Sequence, residues 1–134
     1  MTNRVILCVD DEKIVLNSLK TQLREKYADL FNYEIAENAD DAFEIIEDLV
    51  GEGFDIIVIV SDWLMPGIKG DEFLIKIHQQ FPKIVTILLT GHADEKAIQK
   101  AKDFANLHKC LRKPWSEAEL FNAIETGLKS TSEN

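Results

Sequence analysis

Residues 5–12 read VILCVDDE, a stretch in which five apolar residues run directly into three acidic ones. Consecutive apolar positions are typical of a strand covered on both faces, because a strand with one wet face alternates apolar and polar residues. Asp10 interrupts the run well before the roughly 20 apolar residues of a membrane span, and too early for a signal-peptide core. The stretch therefore predicts a buried parallel strand that ends in carboxylates.

Four further strand-like runs follow, the last of them weaker, at 33–36, 56–60, 84–89 and 108–112. The segments between them have apolar residues at helical spacing, such as Leu19 with Leu23 and Leu120 with Ile124. Asn38 is a suitable N-cap for the second helix, and Ser116 with Glu119 forms a capping-box pattern before the last. The alternation predicts an α/β fold with a single (βα)5 doubly wound parallel sheet.

The chain has 134 residues, with 15 Lys and Arg against 24 Asp and Glu, and a net charge of −9. This size fits one domain, predicted at 1–129, followed by a polar tail or linker stub at 130–134. The negative charge disfavours direct nucleic-acid binding, and no membrane contact is expected, so we predict a cytoplasmic protein. Cys8 and Cys110 lie in apolar stretches and are predicted to be buried thiols.

The binding site of an open parallel sheet lies at the carboxyl ends of its strands. The residues after the apolar runs are carboxylates, hydroxyls, a glycine and an amine: Asp10, Asp11, Glu12, Ser61, Asp62, Thr90, Gly91 and Lys113. Two carboxylates about 6 Å apart repel by roughly 3 kcal/mol at an effective dielectric constant near 20. Lys113 cannot balance three of them. Raised pKa values, outward-turned side chains or a divalent cation must compensate, and oxygen ligands favour Mg²⁺.

Each of these residues, taken alone, has a simpler explanation. Asp11 is able to cap the first helix, and Asp62 to occupy a solvated turn. Thr90 is an ordinary residue at the end of a strand, and Lys113 an ordinary surface charge. Their joint occurrence at the ends of successive strands favours one shared site.

The motifs Asp10-Asp11-Glu12, DWLMPG at 62–67 with Gly70, Thr90-Gly91 and Lys113-Pro114 occur in this order along the chain. Together they resemble the response-regulator receiver domain of two-component signalling, over nearly the whole of residues 1–129. The resemblance implies a flavodoxin-like sheet with strand order 2-1-3-4-5. It also implies that the bond between Lys113 and Pro114 is cis.

The resemblance implies that Asp62 accepts a phosphoryl group from a sensor histidine kinase or a phosphotransfer protein. Mg²⁺ is then held by Asp10, Asp11, Asp62 and the backbone carbonyl of Leu64. An ionised carboxylate needs no general base, so the site supplies alignment and charge neutralisation.

In the same resemblance, Lys113 pairs with Asp62 or with the incoming phosphoryl group, and Thr90 hydrogen-bonds a phosphoryl oxygen after transfer. Gly91 leaves room for that group, while Leu64 and His92 flank it. The domain is expected to be a phosphoacceptor that assists its own phosphorylation and dephosphorylation, not an enzyme. Its output is expected to be an unknown domain or target protein.

One position departs from the family. Cys110 stands where an aromatic ring usually turns inward as the threonine moves, so this switch residue is expected to work differently, or His108 to take its place. This departure leaves open a second interpretation, a phosphate-independent interaction module of the same fold. A hydrolase of the acid-pair type is disfavoured because Leu64 stands where its second Asp belongs. A nucleotide-binding loop is disfavoured because acidic residues follow the first strand.

Overall fold

Strands and helices alternate along the chain, as the sequence pattern predicts. In the computed structural model, residues 2–91 and 94–132 are described, with Ser132 described by its backbone alone. Within them, the strands are β1 (Arg4–Val9), β2 (Asn32–Ala36), β3 (Asp55–Asp62), β4 (Val85–Thr90) and β5 (Lys109–Arg112). The helices are α1 (Lys13–Tyr27), α2 (Ala39–Gly51), α3 (Gly70–Gln80), α4 (Glu95–Ala105) and α5 (Glu117–Ser132), with a 3₁₀ turn at Ala28–Leu30.

The strands form one parallel sheet in the order β2-β1-β3-β4-β5, which confirms the predicted fold. The register aligns the carboxyl ends of its central strands, since Val9 pairs with Ser61 and Asp62 pairs with Leu89. β3 is longer than the apolar run that predicts it. Ser61 and Asp62 continue its pairing with β4, because backbone hydrogen bonding does not require apolar side chains.

Two apolar layers cover the sheet, one on each face. The first, under α1 and α5, contains Leu19, Leu23 and Ile124. The second, under α2, α3 and α4, contains Phe73 and Ala101. The side chains of β1 alternate between the layers, which explains why that strand is apolar at every position.

Hydrogen bonds between side chains join α1 to α5 and to the segment that precedes α5. The Tyr27 hydroxyl donates to Glu125 Oε2 at 2.9 Å, and the indole N–H of Trp115 donates to Gln22 Oε1 at 2.8 Å. The contacts of α4 are different. Its buried residues are two alanines, Ala101 and Ala105, and its Phe104 ring is 62% exposed.

The predicted caps are present. Asn38 Oδ1 accepts from the backbone N–H of Asp41 at 2.8 Å, and Ser116 Oγ accepts from that of Glu119 at 3.1 Å. Of the segment 130–134, the residues up to Ser132 continue α5, and the remaining two lie outside the described residues. Among the helices that the structure describes, none is both long and apolar enough to cross a bilayer.

Candidate functional site

Asp10 directly follows β1, and its carboxylate is fully buried. Oδ1 accepts the backbone N–H of Glu12 at 2.8 Å, and Oδ2 accepts from Lys113 Nζ at 2.8 Å. Its backbone N–H donates to the carbonyl of Ala36, at the end of β2, at 3.1 Å. Three hydrogen bonds therefore hold Asp10 in place, one at each carboxylate oxygen and one at its backbone N–H.

Lys113 bridges the buried carboxylates of two strands. Its Nζ lies 2.8 Å from Asp10 Oδ2 and 3.0 Å from Asp62 Oδ1, and the Glu12 carboxylate is 3.8 Å away. Its backbone N–H donates to the carbonyl of Thr90 at 2.9 Å, which attaches the segment after β5 to the end of β4. The bond from Lys113 to Pro114 is cis, as predicted.

Asp11 completes a cluster of acidic residues. Asp10, Asp11 and Asp62 each offer a carboxylate oxygen, and these oxygens all lie within 4.8 Å of one another. Asp11 is exposed, whereas the other two are buried, so a cation reaching the cluster has one ligand on the solvent side. Asp11 does not cap α1, because the N-cap is Glu12 and makes no capping hydrogen bond through its side chain. Three carboxylates at this spacing fit a hard cation such as Mg²⁺.

Burial and the Lys113 ammonium have opposite effects on the pKa values of the buried carboxylates. Burial, reinforced by the nearby Asp10 carboxylate, raises the pKa of Asp62 to about 6, although the Lys113 hydrogen bond opposes the shift. Burial also raises the pKa of Asp10, against the hydrogen bonds from Lys113 and the Glu12 amide. For Lys113, burial lowers the pKa, but its hydrogen bonds to both carboxylates outweigh that effect and raise it. Lys113 alone thus leaves the ionised cluster incompletely balanced.

A cleft of about 570 Å³ opens beside this cluster, and its lining includes Asp62, Leu64, Thr90, Gly91 and Lys113. The Leu64 side chain is 62% exposed, and Thr90 is buried at the end of β4. A Cβ added at Gly91 would meet no atom within 4 Å, so space is open there. His92, predicted to flank the same space, lies outside the described residues.

The two cysteines differ in burial. Cys8 is 1% exposed, as predicted, and both cysteines are free thiols. The prediction that Cys110 is buried is wrong, because this residue is only half-buried. It lies on the edge strand β5 and packs against the layer that contains Ala101. His108 faces the other helix layer, with Nε2 2.8 Å from the Thr126 hydroxyl of α5.

The sequence interpretation missed Asp71, which is 5% exposed in the first turn of α3. Its Oδ1 accepts the indole N–H of Trp63, the residue after Asp62, at 3.1 Å. An acidic residue beside apolar Phe73 and Leu74 is a weak signal, since carboxylates are common in the first turn of helices. The contact depends on how the loop after β3 folds back onto α3.

A parallel sheet in this order, with three carboxylates and a lysine at its carboxyl edge, is the architecture of a receiver-type signalling domain. Residues 6–125 match the model of the response regulator receiver domain, so the chain belongs to that family. Its members accept phosphoryl groups in two-component systems and bind Mg²⁺ at an acidic pocket.

Two relatives show how this domain is used. The chain is 28% identical to the hydrogenase transcriptional regulatory protein HoxA of Cupriavidus necator over 125 residues, which cover 93% of this chain and 24% of HoxA. The chain thus spans about a quarter of that regulator. It is also 28% identical to the chemotaxis protein CheY-3 of Vibrio cholerae, with 92% of this chain and 90% of CheY-3 covered.

A solved structure has the same architecture. The signal receiver domain of an HD domain-containing protein from Pseudomonas fluorescens Pf-5 aligns with a TM-score of 0.86 at 28% identity, covering 98% of both chains.

Proposed function

We propose that this domain accepts a phosphoryl group on Asp62, from a sensor histidine kinase or a phosphotransfer protein, and thereby switches a surface that binds a partner. The observation that supports this most is the position of Lys113 Nζ, 2.8 Å from Asp10 and 3.0 Å from Asp62. It neutralises part of the charge on the acceptor while Asp11 remains open to solvent.

In the proposed transfer, a carboxylate oxygen of Asp62 attacks the phosphorus of a phosphohistidine in line with the P–N bond. The new P–O bond forms as the P–N bond breaks, and the departing imidazole nitrogen keeps the electron pair and is protonated. Asp10, Asp11, Asp62 and the Leu64 carbonyl would hold Mg²⁺, which neutralises charge on the phosphoryl oxygens when bound.

The other residues have supporting roles in this proposal. Lys113 contacts a phosphoryl oxygen after transfer, and Thr90 donates its hydroxyl to another. Gly91 leaves the space that the group occupies. Cys110 is the proposed switch residue on the α4 side of β5, where a thiol replaces a larger ring. The domain assists its own phosphorylation and dephosphorylation through the same residues.

Membership of the family supports a proposal about the classes of partner. Receiver domains pair with histidine kinases and output domains, and relatives such as HoxA are transcriptional regulators. For this chain, we propose a protein target or an attached output domain, with no direct contact to nucleic acid, since its net charge is −9. A cytoplasmic location remains a prediction.

Phosphorylation by acetyl phosphate tests the proposal. With Mg²⁺ present, intact-mass measurement of the wild type should show an added mass of about 80 Da, which Asp62→Asn should abolish. Asp55→Asn is the matched control, because Asp55 is exposed at the opposite end of the same strand. Persistence of the adduct in Asp62→Asn would remove the assignment of the acceptor. A wild type that forms no adduct would favour the phosphate-independent interaction module.

A further inference from the structure

Trp63 is the residue between the acceptor Asp62 and Leu64, and its backbone is held on both sides. Its N–H donates to the carbonyl of Leu89 in β4 at 2.8 Å. Its carbonyl accepts from the N–H of Gly70, the first residue of α3, at 2.7 Å. A side chain at Gly70 would collide with the carbonyl of Asp62, so α3 begins directly against the acceptor strand.

The Trp63 side chain has its own attachment to α3. The indole N–H donates to Asp71 Oδ1 at 3.1 Å, and Asp71 is only 5% exposed. Lys69 lies on the same ring, with Nζ 5.0 Å from its centroid. A cation over an indole contributes about 0.5–1 kcal/mol at exposed sites. The part-buried hydrogen bond to Asp71 is the more directional attachment, because a hydrogen bond weakens steeply when its angle changes.

We propose that Asp71 is a positioning residue that acts through Trp63 to fix the spacing between the Asp62 carboxylate and the Leu64 carbonyl. This inference rests on the proposed function, in which those two groups are Mg²⁺ ligands. Asp71 itself is not a ligand in this scheme.

Trp63 can affect this spacing because it lies between Asp62 and Leu64 in the chain. Rotation of the indole away from α3 would remove the hydrogen bond to Asp71 and alter the packing that holds the loop after β3. Mg²⁺ demands near-ideal octahedral geometry, so small shifts of one ligand relative to another weaken its binding. Loss of a partner that orients a metal ligand typically lowers affinity about 10- to 100-fold. Because Asp71 acts through a neighbouring residue, we expect a smaller loss, about 5- to 10-fold.

Asp71 also has a second possible role. It lies in the first turn of α3, where a negative charge interacts favourably with the helix dipole and stabilises the helix. The variants must separate this effect from the positioning role. Asp71→Asn removes the charge but keeps a carbonyl oxygen that accepts the indole N–H. Asp71→Leu removes both. Glu72→Gln is the matched control, since Glu72 is exposed in the same turn and its substitution changes the charge alone.

The experiment measures Mg²⁺ affinity of the full chain by calorimetry, together with the rate of adduct formation from acetyl phosphate. Asp71→Leu should weaken Mg²⁺ binding about 5- to 10-fold, with the rate at saturating Mg²⁺ within about twofold of wild type. Asp71→Asn and Glu72→Gln should bind Mg²⁺ within about twofold of wild type. Trp63→Phe should reproduce the loss, and adding Asp71→Leu to it should cause no further loss.

Fluorescence gives a readout without metal. The chain has two tryptophans, so Trp115→Phe leaves Trp63 as the reporter. In that background, Asp71→Leu should shift the emission maximum of the metal-free protein, and Asp71→Asn should largely restore it.

Three outcomes would overturn the inference, and they are distinguishable. If the wild type binds no Mg²⁺ and forms no adduct, the proposed function fails and the inference falls with it. If the wild type does both and Asp71→Leu binds Mg²⁺ equally well, the positioning role alone is wrong. Equal losses in Asp71→Leu, Asp71→Asn and Glu72→Gln would also contradict it, because they would trace the effect to helix charge.

Discussion

Beneath the site, Leu19, Ile59 and Leu88 are fully buried among other apolar side chains. At the carboxyl edge of the same sheet, Asp10 and Asp62 are buried almost as fully. Burial stabilises the first group, whereas it raises the free energy of the ionised carboxylates in the second. The apolar layers therefore stabilise the fold against the free-energy cost of burying ionised carboxylates at its edge.

Truncation of a buried apolar side chain should change the free energy of unfolding the most. Leu19→Ala should lower the free energy of unfolding by about 2–5 kcal/mol, because it removes buried methyl groups and leaves a cavity. Chemical denaturation measures this. Ile14→Ala is the control on the same helix, since Ile14 is 84% exposed, and its effect should stay within about 0.5 kcal/mol. Equal effects of the two substitutions would contradict the burial argument.

The carboxyl edge should respond with the opposite sign. In the absence of metal at neutral pH, Asp62→Asn should raise the free energy of unfolding by about 1–2 kcal/mol, because it removes a buried charge whose pKa is raised to about 6. Part of the gain is offset by the lost contact with Lys113. Denaturation in EDTA measures the change, with Asp55→Asn as the exposed control. If Asp62→Asn were less stable than the wild type, the claim that the buried Asp62 charge lowers stability would be wrong.

Mg²⁺ should stabilise the wild type and Asp62→Asn to different extents. Saturating Mg²⁺ should stabilise the wild type by mass action, by about 2.7 kcal/mol when its concentration is 100 times the dissociation constant. Asp62→Asn, which lacks one of the proposed ligands, should gain much less. Thermal unfolding across a Mg²⁺ titration measures both gains. Equal gains in the wild type and Asp62→Asn would show that the cation binds at a site that does not include Asp62.

The pH dependence follows from the pKa of Asp62, which burial raises from its ordinary value of 3.8 to about 6 in the folded protein. The folded state therefore holds this proton more tightly than the unfolded state. The resulting stability is present at low pH and is lost as pH rises through about 6. In EDTA, the stability of the wild type minus that of Asp62→Asn should fall over this range. A difference that rises with pH would contradict the assignment.

A polar contact away from the site should contribute less to the free energy of unfolding. Tyr27→Phe should cost about 1 kcal/mol, because it removes the hydrogen bond to Glu125 that joins α1 to α5. A double-mutant cycle with Glu125→Ala should give a coupling energy of about 1 kcal/mol between the two residues. Additive effects would show that the contact adds nothing to stability.

The fold was predictable because its strands are apolar at successive positions and the residues after them are polar. The cluster of Asp10, Asp11 and Asp62 was predictable because parallel strands bring their carboxyl ends to one edge. Their roles as ligands and phosphoryl acceptor remain predictions.

Other features depend on tertiary contacts that periodicity does not encode. β3 continues through Asp62 because β4 supplies partners for its backbone. Cys110 is half-buried because β5 is an edge strand. The contact between Trp63 and Asp71 joins residues on two elements, through a loop whose path was not evident from composition.

The small buried side chains of α4 have a consequence for how a chemical event at Asp62 would reach the surface. The fully buried side chains of α4, Ala101 and Ala105, are smaller than those of α3, which include Phe73, so a displacement of α4 forfeits less buried apolar surface than one of α3. A comparable displacement of α1 against α5 would break the hydrogen bond from Tyr27 to Glu125. The helices around the sheet are therefore unequally anchored, and if Asp62 is phosphorylated as proposed, α4 should be easier to displace than α3.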